Sequence, residues 1–508
     1  MAHEFYQHIK SHAEKNPEHP AIIDGETTVT YGQLLEKIKQ FAGGLDNLKL
    51  NPESKLGLLC ANQKEYLVAC LGAFLKGLTV VPFNFMLKPE DLVFITKDAE
   101  IDSIVVDSMF IKPETKQFFD LFKNKILIGE AGPGALGEGT LHFEGFLNKG
   151  DREKAFTRHE RKESIPDVIL YTSGTTAQPK GVMLDETQFD INCEGFLSHL
   201  QFVSEDRVIM ALPLFHSFGN IIALVILHVG GTLILLKQFS PKSILESIGK
   251  NRATILPLVP TIYSFLVELF ARGGYDVSSL RYCVSGGAAL PEILLKKVEE
   301  VLKVTVIEGY GLTETSPVIA VNTFADGSVP ASVGPVLSNV RIKIADDKGE
   351  EMKQGDAGEI WVKAATVMKG YWKRPDETRA TITSDGWFKT GDLGHLDEKN
   401  RLYISQGRKK DLIIRAGENI SPLAIENALM SHPAIAEAAA VGVPDKRAGE
   451  RVKLCVTLRQ GVSATEQEIR EFCRKKLPAF IIPDMIQFYD ALPKNATGKV
   501  LKTQLRDP

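Results

Sequence analysis

Residues 171–181 read YTSGTTAQPKG. Serine, threonine and glycine crowd between the short apolar strand pattern DVIL and a lysine that follows proline. Backbone N–H groups in such a loop converge on phosphate oxygens, and the hydroxyls of Thr172, Ser173, Thr175 and Thr176, around Gly174, add donors while Lys180 adds charge. A solvated Ser/Thr turn is the alternative, but so dense a run directly behind a buried strand argues against it. The run is not a Walker A loop: that pattern requires GxxxxGK[ST], and here Gly174 is followed by TTAQ and then Pro179-Lys180-Gly181. The chemistry indicated is phosphate binding. A second glycine-rich stretch, GEAGPGALGEGT, contains a formal GxGxxG at Gly132, Gly134 and Gly137. A dinucleotide fingerprint needs a helix immediately after it. The following EGTLHFEG lacks helical spacing, so a surface loop is expected.

The elements that must position such a loop are legible around it. Between Leu45 and Asp107, apolar runs alternate with helical patterns: KLGLLC, EYLVACLGAFLKG, VVPFNF, DLVFITKDA and SIVVD. Strand–helix alternation of this kind predicts a parallel sheet with helices packed on it, and it recurs between Arg207 and Glu308. An amphipathic helix is expected within residues 1–40, followed by a strand-turn unit at AIIDGETTVTY. After Gly327, short strands with Gly and Asp turns (RIKIADDKGEEM, GEIWVK, RLYIS) predict a small β-rich subdomain. After Lys410 the order helix (SPLAIENALMSH), strand (AEAAAVGV), strand (RVKLCVTL), helix (TEQEIREFCRKKL) predicts a compact α+β unit.

At 508 residues the chain has room for roughly three domain-sized units. Apolar residues are 44% and charged residues 24%, ordinary for a globular enzyme and unlike a disordered or collagenous chain. A net charge of −4 offers no electrostatic case for nucleic-acid binding. The six cysteines lie far apart with no CxxC, so they indicate neither a zinc site nor a redox motif and suit reduced thiols in a cytoplasm. No secretory signal is visible in MAHEFYQHIK. The most apolar stretch, Ile221 to Leu236, is broken by His228, Gly230 and Gly231. A buried helix and strand are expected there rather than a transmembrane segment.

TSGTTAQPKG resembles the signature of the adenylate-forming superfamily, which includes acyl-CoA synthetases, luciferases and peptide-synthetase adenylation domains. Ala177 departs from it, since the family usually has glycine there. The resemblance continues in order along the chain. PLFHSFG (Pro213–Gly219) is similar to the family's aromatic/His segment beside the acyl pocket, and SGGAAL (Ser285–Leu290) to its adenine-contacting turn. EGYGLTET (Glu308–Thr315) resembles the segment that holds adenine, substrate carboxylate and magnesium. TGDLG (Thr390–Gly394) resembles the ribose segment, GRKKDLIIRAGENISP (Gly407–Pro422) the interdomain hinge and the loop after it, and PKNATGK (Pro493–Lys499) the C-terminal catalytic loop. Six matches in register make chance untenable.

The resemblance implies an α/β fold. Residues 1–405 form a large N-terminal AMP-binding domain of several subdomains, with parallel-rich sheets, helices and the β-rich subdomain. Residues 406–410 form a hinge, and 411–508 a small mobile α+β domain. It also implies the reaction, in which a carboxylic acid and ATP give acyl-AMP and pyrophosphate and CoA then displaces AMP. ATP, Mg2+ and CoA are the implied cofactors. One anion must attack another, so cations must offset the repulsion at the α-phosphate. By resemblance Glu314 is the magnesium carboxylate, with Thr175 as hydroxyl partner; helix capping is the ordinary alternative for Glu314. Gly287, Ala288, Glu308, Gly309, Tyr310, Gly311 and Thr313 fall in the nucleotide segments. Asp392 sits in a tight TGD turn and accepts both ribose hydroxyls, with Arg408 beside it; an ordinary turn Asp is the alternative. Lys499, in a tail turn that on its own reads as solvated, is the cation that crosses the cleft, so chemistry requires domain closure. Lys410 matches the hinge position. His216 lines the acyl or thiol route, or is a hydrogen-bonded core histidine between Phe215 and Phe218.

Amino-acid-activating members carry Asp where His216 stands, which argues against a free α-amino acid. The segments LPLVPTIYSFLVELF and FGNIIALVILHVGG offer apolar walls suited to a medium- or long-chain fatty acid, at about 0.8 kcal/mol per buried CH₂; ordinary core is the alternative, and much of each stretch must be core. With no carrier domain before Pro508, the acceptor thiol is expected in trans. Gly417 and the basic group Lys446, Arg447, Arg451 and Lys453 are the thiol-side candidates, facing CoA phosphates or an acidic acyl carrier protein; a solvated charged face is the alternative. An acyl–acyl-carrier-protein synthetase, or an acyl-AMP ligase with another acceptor, is the rival within enzymology. A non-catalytic nucleotide-sensing scaffold is the rival outside it. Peripheral membrane contact is compatible with the sequence, as is a monomer or a homodimer.

Overall fold

The computed structural model describes every residue except 1–3, 49, 113–114, 131–135, 138, 157–161, 163, 173–177, 239, 446, 495–498 and 507–508. It is an α/β protein with a large N-terminal domain and a small C-terminal one. Among the described residues, two eight-stranded sheets dominate the large domain. In one, the strands Lys55–Leu59, Thr79–Pro82, Ser103–Asp107, Asn124–Ile128 and Val168–Thr172 run parallel. The first three are buried along their whole length. That is why KLGLL and SIVVD read as continuous rather than alternating apolar runs. In the other, Pro20–Asp24, Thr232–Leu235, Arg207–Met210, Ile255–Leu258, Tyr282–Ser285 and Thr305–Gly311 run parallel.

Local chemistry explains the element ends. Thr30 caps the helix Tyr31–Leu45 with a reciprocal Thr–Gln33 box, and Thr465 does the same with Glu468 for Glu466–Lys476. Gly77 and Gly230 close their helices in the left-handed region, at φ 77 and 85. The stretch from Ile221 is a buried helix, Ser217–Val229, followed by the strand Thr232–Leu235, as expected. No helix among the described residues is long and apolar enough to cross a membrane. The six cysteines are free and buried.

The β-rich unit is a five-stranded sheet built from Ser332–Pro335, Arg401–Arg408, Phe388–Leu396, Gly358–Ala364 and Val340–Ala345. The small domain packs the helices Pro422–Leu429 and Glu466–Lys476 on the antiparallel pair Ile435–Asp445 and Gly449–Leu458. Ser421 accepts from the Ala424 amide at 3.3 Å, so the helix start holds without a capping carboxylate at Ala424. The formal GxGxxG lies mostly outside the described residues. The chain beyond it forms the two-residue strand Leu141–His142 and then a six-residue helix, Phe143–Asn148, so no helix opens directly at the glycines.

Candidate active site

The strands Val168–Thr172 and Lys180–Leu184 are an antiparallel hairpin in which Thr172 faces Lys180. The two ends of the Ser/Thr/Gly run are therefore held side by side at a sheet end. Ser173, Gly174, Thr175 and Thr176 lie outside the described residues. The Lys180 ammonium pairs with Glu377 and sits 5.5 Å over the Tyr371 ring.

Glu314 falls in the short turn Thr313–Thr315. Its Oε1 accepts from the Tyr371 hydroxyl at 2.9 Å, and its carbonyl from the Met368 amide at 2.8 Å. Thr313 Oγ1 lies 3.2 Å from Ser217 Oγ. Tyr371 reaches Glu314 because the strand Gly370–Tyr371 adds to the loop hairpin, Tyr371 opposite Val182. Burial and the Glu314 carboxylate push the Tyr371 phenol up, which keeps it a donor. Sequence reasoning did not single out Tyr371 or Glu377. The only signal was their place in YWKRPDE, an aromatic–basic–acidic run with a proline.

Asp392 and Arg408 are cross-strand partners in the antiparallel pair Phe388–Leu396 and Arg401–Arg408. Arg408 Nε stands 3.2 Å from Asp392 Oδ1, and the Tyr310 hydroxyl donates to Oδ2 at 2.5 Å. The Asp392 amide donates to Thr390 Oγ1 at 3.0 Å, and Gly391 between them takes φ 72, so the TGD turn is tight. Thr390, Gly391, Arg408, Lys409 and Lys410 line a cavity of about 290 Å³.

The turn after Tyr282–Ser285 exposes Gly287 and Ala288, with Gly287 at φ 81. The neighbouring strand Thr305–Gly311 brings Glu308 beside Ser285. Glu308 is buried, and its Oε1 accepts from the Leu290 amide at 2.8 Å. Burial pushes its carboxyl up to about 8, so it is largely a neutral acid at pH 7. Gly309 and Tyr310 follow on the strand, and Gly311 ends it against Pro317. A Cβ on Gly311 would stand 2.0 Å from the Pro317 carbonyl oxygen.

His216 caps the helix Ser217–Val229, its Nδ1 accepting from the Phe218 amide at 3.3 Å. Burial and the Lys499 charge push it down to about 4, so it is neutral at pH 7. It is thus both a helix cap and a cleft residue. Lys499 is exposed at its surface yet flanked by protein. Desolvation, with Arg408 and Lys410 nearby, pushes its ammonium down to about 8, against the pull of Asp392 and Asp411. The end of the small domain therefore stands within electrostatic reach of Asp392, Arg408, Lys410 and His216.

Lys410 sits in the turn Lys409–Asp411, directly after the strand that ends at Arg408. Burial and Arg408 lower its pKa. On the thiol side, Gly417 takes φ 87 with open space around it. Arg451 pairs with Asp445 at 2.9 Å, and the Arg447 amide bonds the same carboxylate. Lys446 lies outside the described residues. Lys453 does not belong to a surface basic group: it is 3% exposed, within the run Val452–Thr457 of the strand Gly449–Leu458 that is buried on both faces. Within the apolar stretch FGNIIALVILHVGG, Ile221 to Leu227 are core, as expected for much of the stretch.

A family profile described as AMP-binding enzyme matches residues 9–372, and one described as AMP-binding enzyme C-terminal domain matches residues 424–499. The chain is 33% identical to a long-chain-fatty-acid–CoA ligase of Bacillus subtilis, over 97% of this chain and 92% of the relative. It is 31% identical to a feruloyl-CoA synthase of Amycolatopsis, over 97% and 96%. The ATP-bound crystal structure of MatB from Rhodopseudomonas palustris superposes with a TM-score of 0.89 at 30% identity, covering 100% of this chain and 98% of that one. The apo structure of the same protein, with the same coverage at 28% identity, gives 0.76. The chain belongs to the AMP-binding enzymes of the adenylate-forming superfamily, in its acyl-CoA synthetase type, and is an AMP-forming acid–thiol ligase.

Proposed function

We propose that the protein activates a medium- or long-chain fatty acid. The acid's carboxylate oxygen attacks the α-phosphorus of ATP. A P–O bond forms, the bond to the β-phosphate oxygen breaks, and pyrophosphate leaves with its electron pair. The CoA sulfur, its proton lost, then attacks the acyl carbon, and AMP leaves with the acyl–oxygen electron pair.

In this reading Asp392 accepts the ribose hydroxyls, held by Tyr310 and Arg408. The turn at Gly287 and Ala288 and the strand Glu308–Gly311 border the base. Thr172 to Thr176 and Lys180 hold phosphate oxygens, and Lys180 trades its Glu377 partner for them. Glu314 with Thr175 offers hard oxygen donors that suit magnesium, which when bound offsets the charge of the phosphates. Lys499 supplies the cation at the reacting oxygens, and neutral His216 borders the acyl path without adding charge. Lys410 serves the swivel between domains, placed at 406–410 between 1–405 and 411–508, where the strand ends and the Lys409–Asp411 turn begins. Gly417, Arg447 and Arg451, with Lys446, face the acceptor.

The observation that carries the reading is the reach of Lys499, from the chain end, into the Asp392–Arg408–Lys410 group. The better fit to the ATP-bound relative agrees with it. The fatty-acid assignment rests on the long-chain relative and on Phe218 and Val259, which pack against the Gly286–Gly287 turn. A panel from acetate to palmitate, with feruloyl-type aromatic acids included, assayed for AMP release with CoA, tests it. A kcat/KM that rises with chain length supports the proposal; preference for an aromatic or short acid overturns it.

A further inference from the structure

Three helices that carry none of the proposed catalytic carboxylates or lysines converge on one small cluster. His8 comes from Glu4–Lys15, Asp190 from Glu186–Leu197 and His228 from the last turn of Ser217–Val229. Asp190 Oδ1 lies 2.9 Å from His8 Nε2 and 3.1 Å from His228 Nδ1. All three donor atoms lie within 4.8 Å of one another. Side-chain exposures of 29%, 14% and 18% leave one side open to solvent.

We propose that His8, Asp190 and His228 bind one borderline divalent transition cation, of which Zn2+ is the representative. Ligand bonds of about 2.0–2.1 Å in a tetrahedron put donor atoms about 3.3 Å apart, so the two spacings to Asp190 Oδ1 need adjustment by only a few tenths of an ångström, and the two imidazole nitrogens, within 4.8 Å of one another, settle to the same separation on binding. Two imidazoles and one carboxylate select zinc, cobalt, nickel or copper over the oxygen-seeking magnesium of a nucleotide site. The fourth position falls on the open side, to water. His12 Nε2 lies 2.9 Å from the His228 carbonyl and steadies that end of the helix. One turn before His8, the buried Glu4 Oε2 has no hydrogen-bond partner among the described residues. That carboxyl group lies about 6 Å from His8 along the helix axis. The site is remote from the chemistry: His216 and His228 sit twelve residues apart on one helix, about 18 Å. A bound ion would clamp the N-terminal helix onto the helix that His216 caps.

A hydrogen-bonded triad without metal affinity is the competing explanation. The test titrates Zn2+ calorimetrically into the full-length protein after chelator treatment and dialysis, with no nucleotide present. One ion per chain is expected, with His8→Gln and His228→Gln each weakening binding about tenfold or more. No stoichiometric binding by the parent protein overturns the proposal, as does unchanged affinity in the double variant. If the variants do not fold, Co2+ added to the parent protein decides the matter. An intense four-coordinate ligand-field spectrum supports the site, and the weak spectrum of the hydrated ion overturns it.

Discussion

The Tyr310 hydroxyl donates to Asp392 Oδ2 at 2.5 Å, from a strand of the large parallel sheet to a turn of the β-rich subdomain. Arg408 holds the other carboxylate oxygen, so the TGD turn is fixed from two sides. Hydrogen bonds to charged groups contribute about 1.5–3 kcal/mol. Tyr310→Phe should therefore weaken ATP binding about tenfold, as read by calorimetry. Undiminished ATP affinity would remove Tyr310 from the ribose end of the site.

Lys499→Ala should abolish carboxylate-dependent ATP–pyrophosphate exchange, while ATP affinity changes only a few-fold. The lysine enters from the small domain, and the large domain supplies most nucleotide contacts in the proposed reading. Normal exchange by this variant would exclude Lys499 from the first half-reaction.

The Lys499 ammonium, pushed down to about 8, loses its proton earlier on the alkaline side than a solvated lysine. Its charge is present below that pH and lost above it. kcat/KM for adenylate formation should accordingly fall as pH rises through about 8. A guanidinium stays charged over this range. Residual exchange by Lys499→Arg should therefore lack the alkaline limb. A limb of unchanged position in that variant would assign the titration to another group.

Glu308 carries a raised folded-state pKa, about 8, through burial. The sign follows from linkage: the folded state holds this proton more tightly than the unfolded one. The stability it contributes is full below the unfolded value of about 4.3 and is lost as pH rises through 8. Glu308→Gln keeps an acceptor for the Leu290 amide and removes the titration. Its melting temperature should gain on the parent protein's as pH is raised from 6 to 9. A parallel pH dependence in the two proteins would refute the assignment.

Gly311→Ala would place a methyl 2.0 Å from the Pro317 carbonyl oxygen, which is backbone and cannot swing aside. Overpacking of this kind costs about 1–3 kcal/mol, and a lowered first thermal transition is expected. Gly309→Ala meets its nearest neighbour, Val321 Cγ2, at 3.2 Å and serves as the milder comparison. Equal stability of the two variants would show that the Glu308–Gly311 strand end is not tightly packed.

The sequence by itself determined what short-range chemistry controls. Strand–helix alternation specified the parallel sheets, because strands buried on both faces need continuous apolar runs. The caps at Thr30 and Thr465 and the TGD turn are each set by residues a few positions apart. Tertiary structure alone decided the long-range meetings. Tyr371 reaches Glu314 because a two-residue strand adds to a distant hairpin. Lys453 is buried because its strand is covered on both faces from Val452 to Thr457, although Arg451 two residues before it is exposed. His216 and Lys499, 283 residues apart in the chain, influence one another only because the small domain closes over the cleft. A local pattern carries no record of which surfaces will pack together, and that packing sets the protonation of His216 and Lys499.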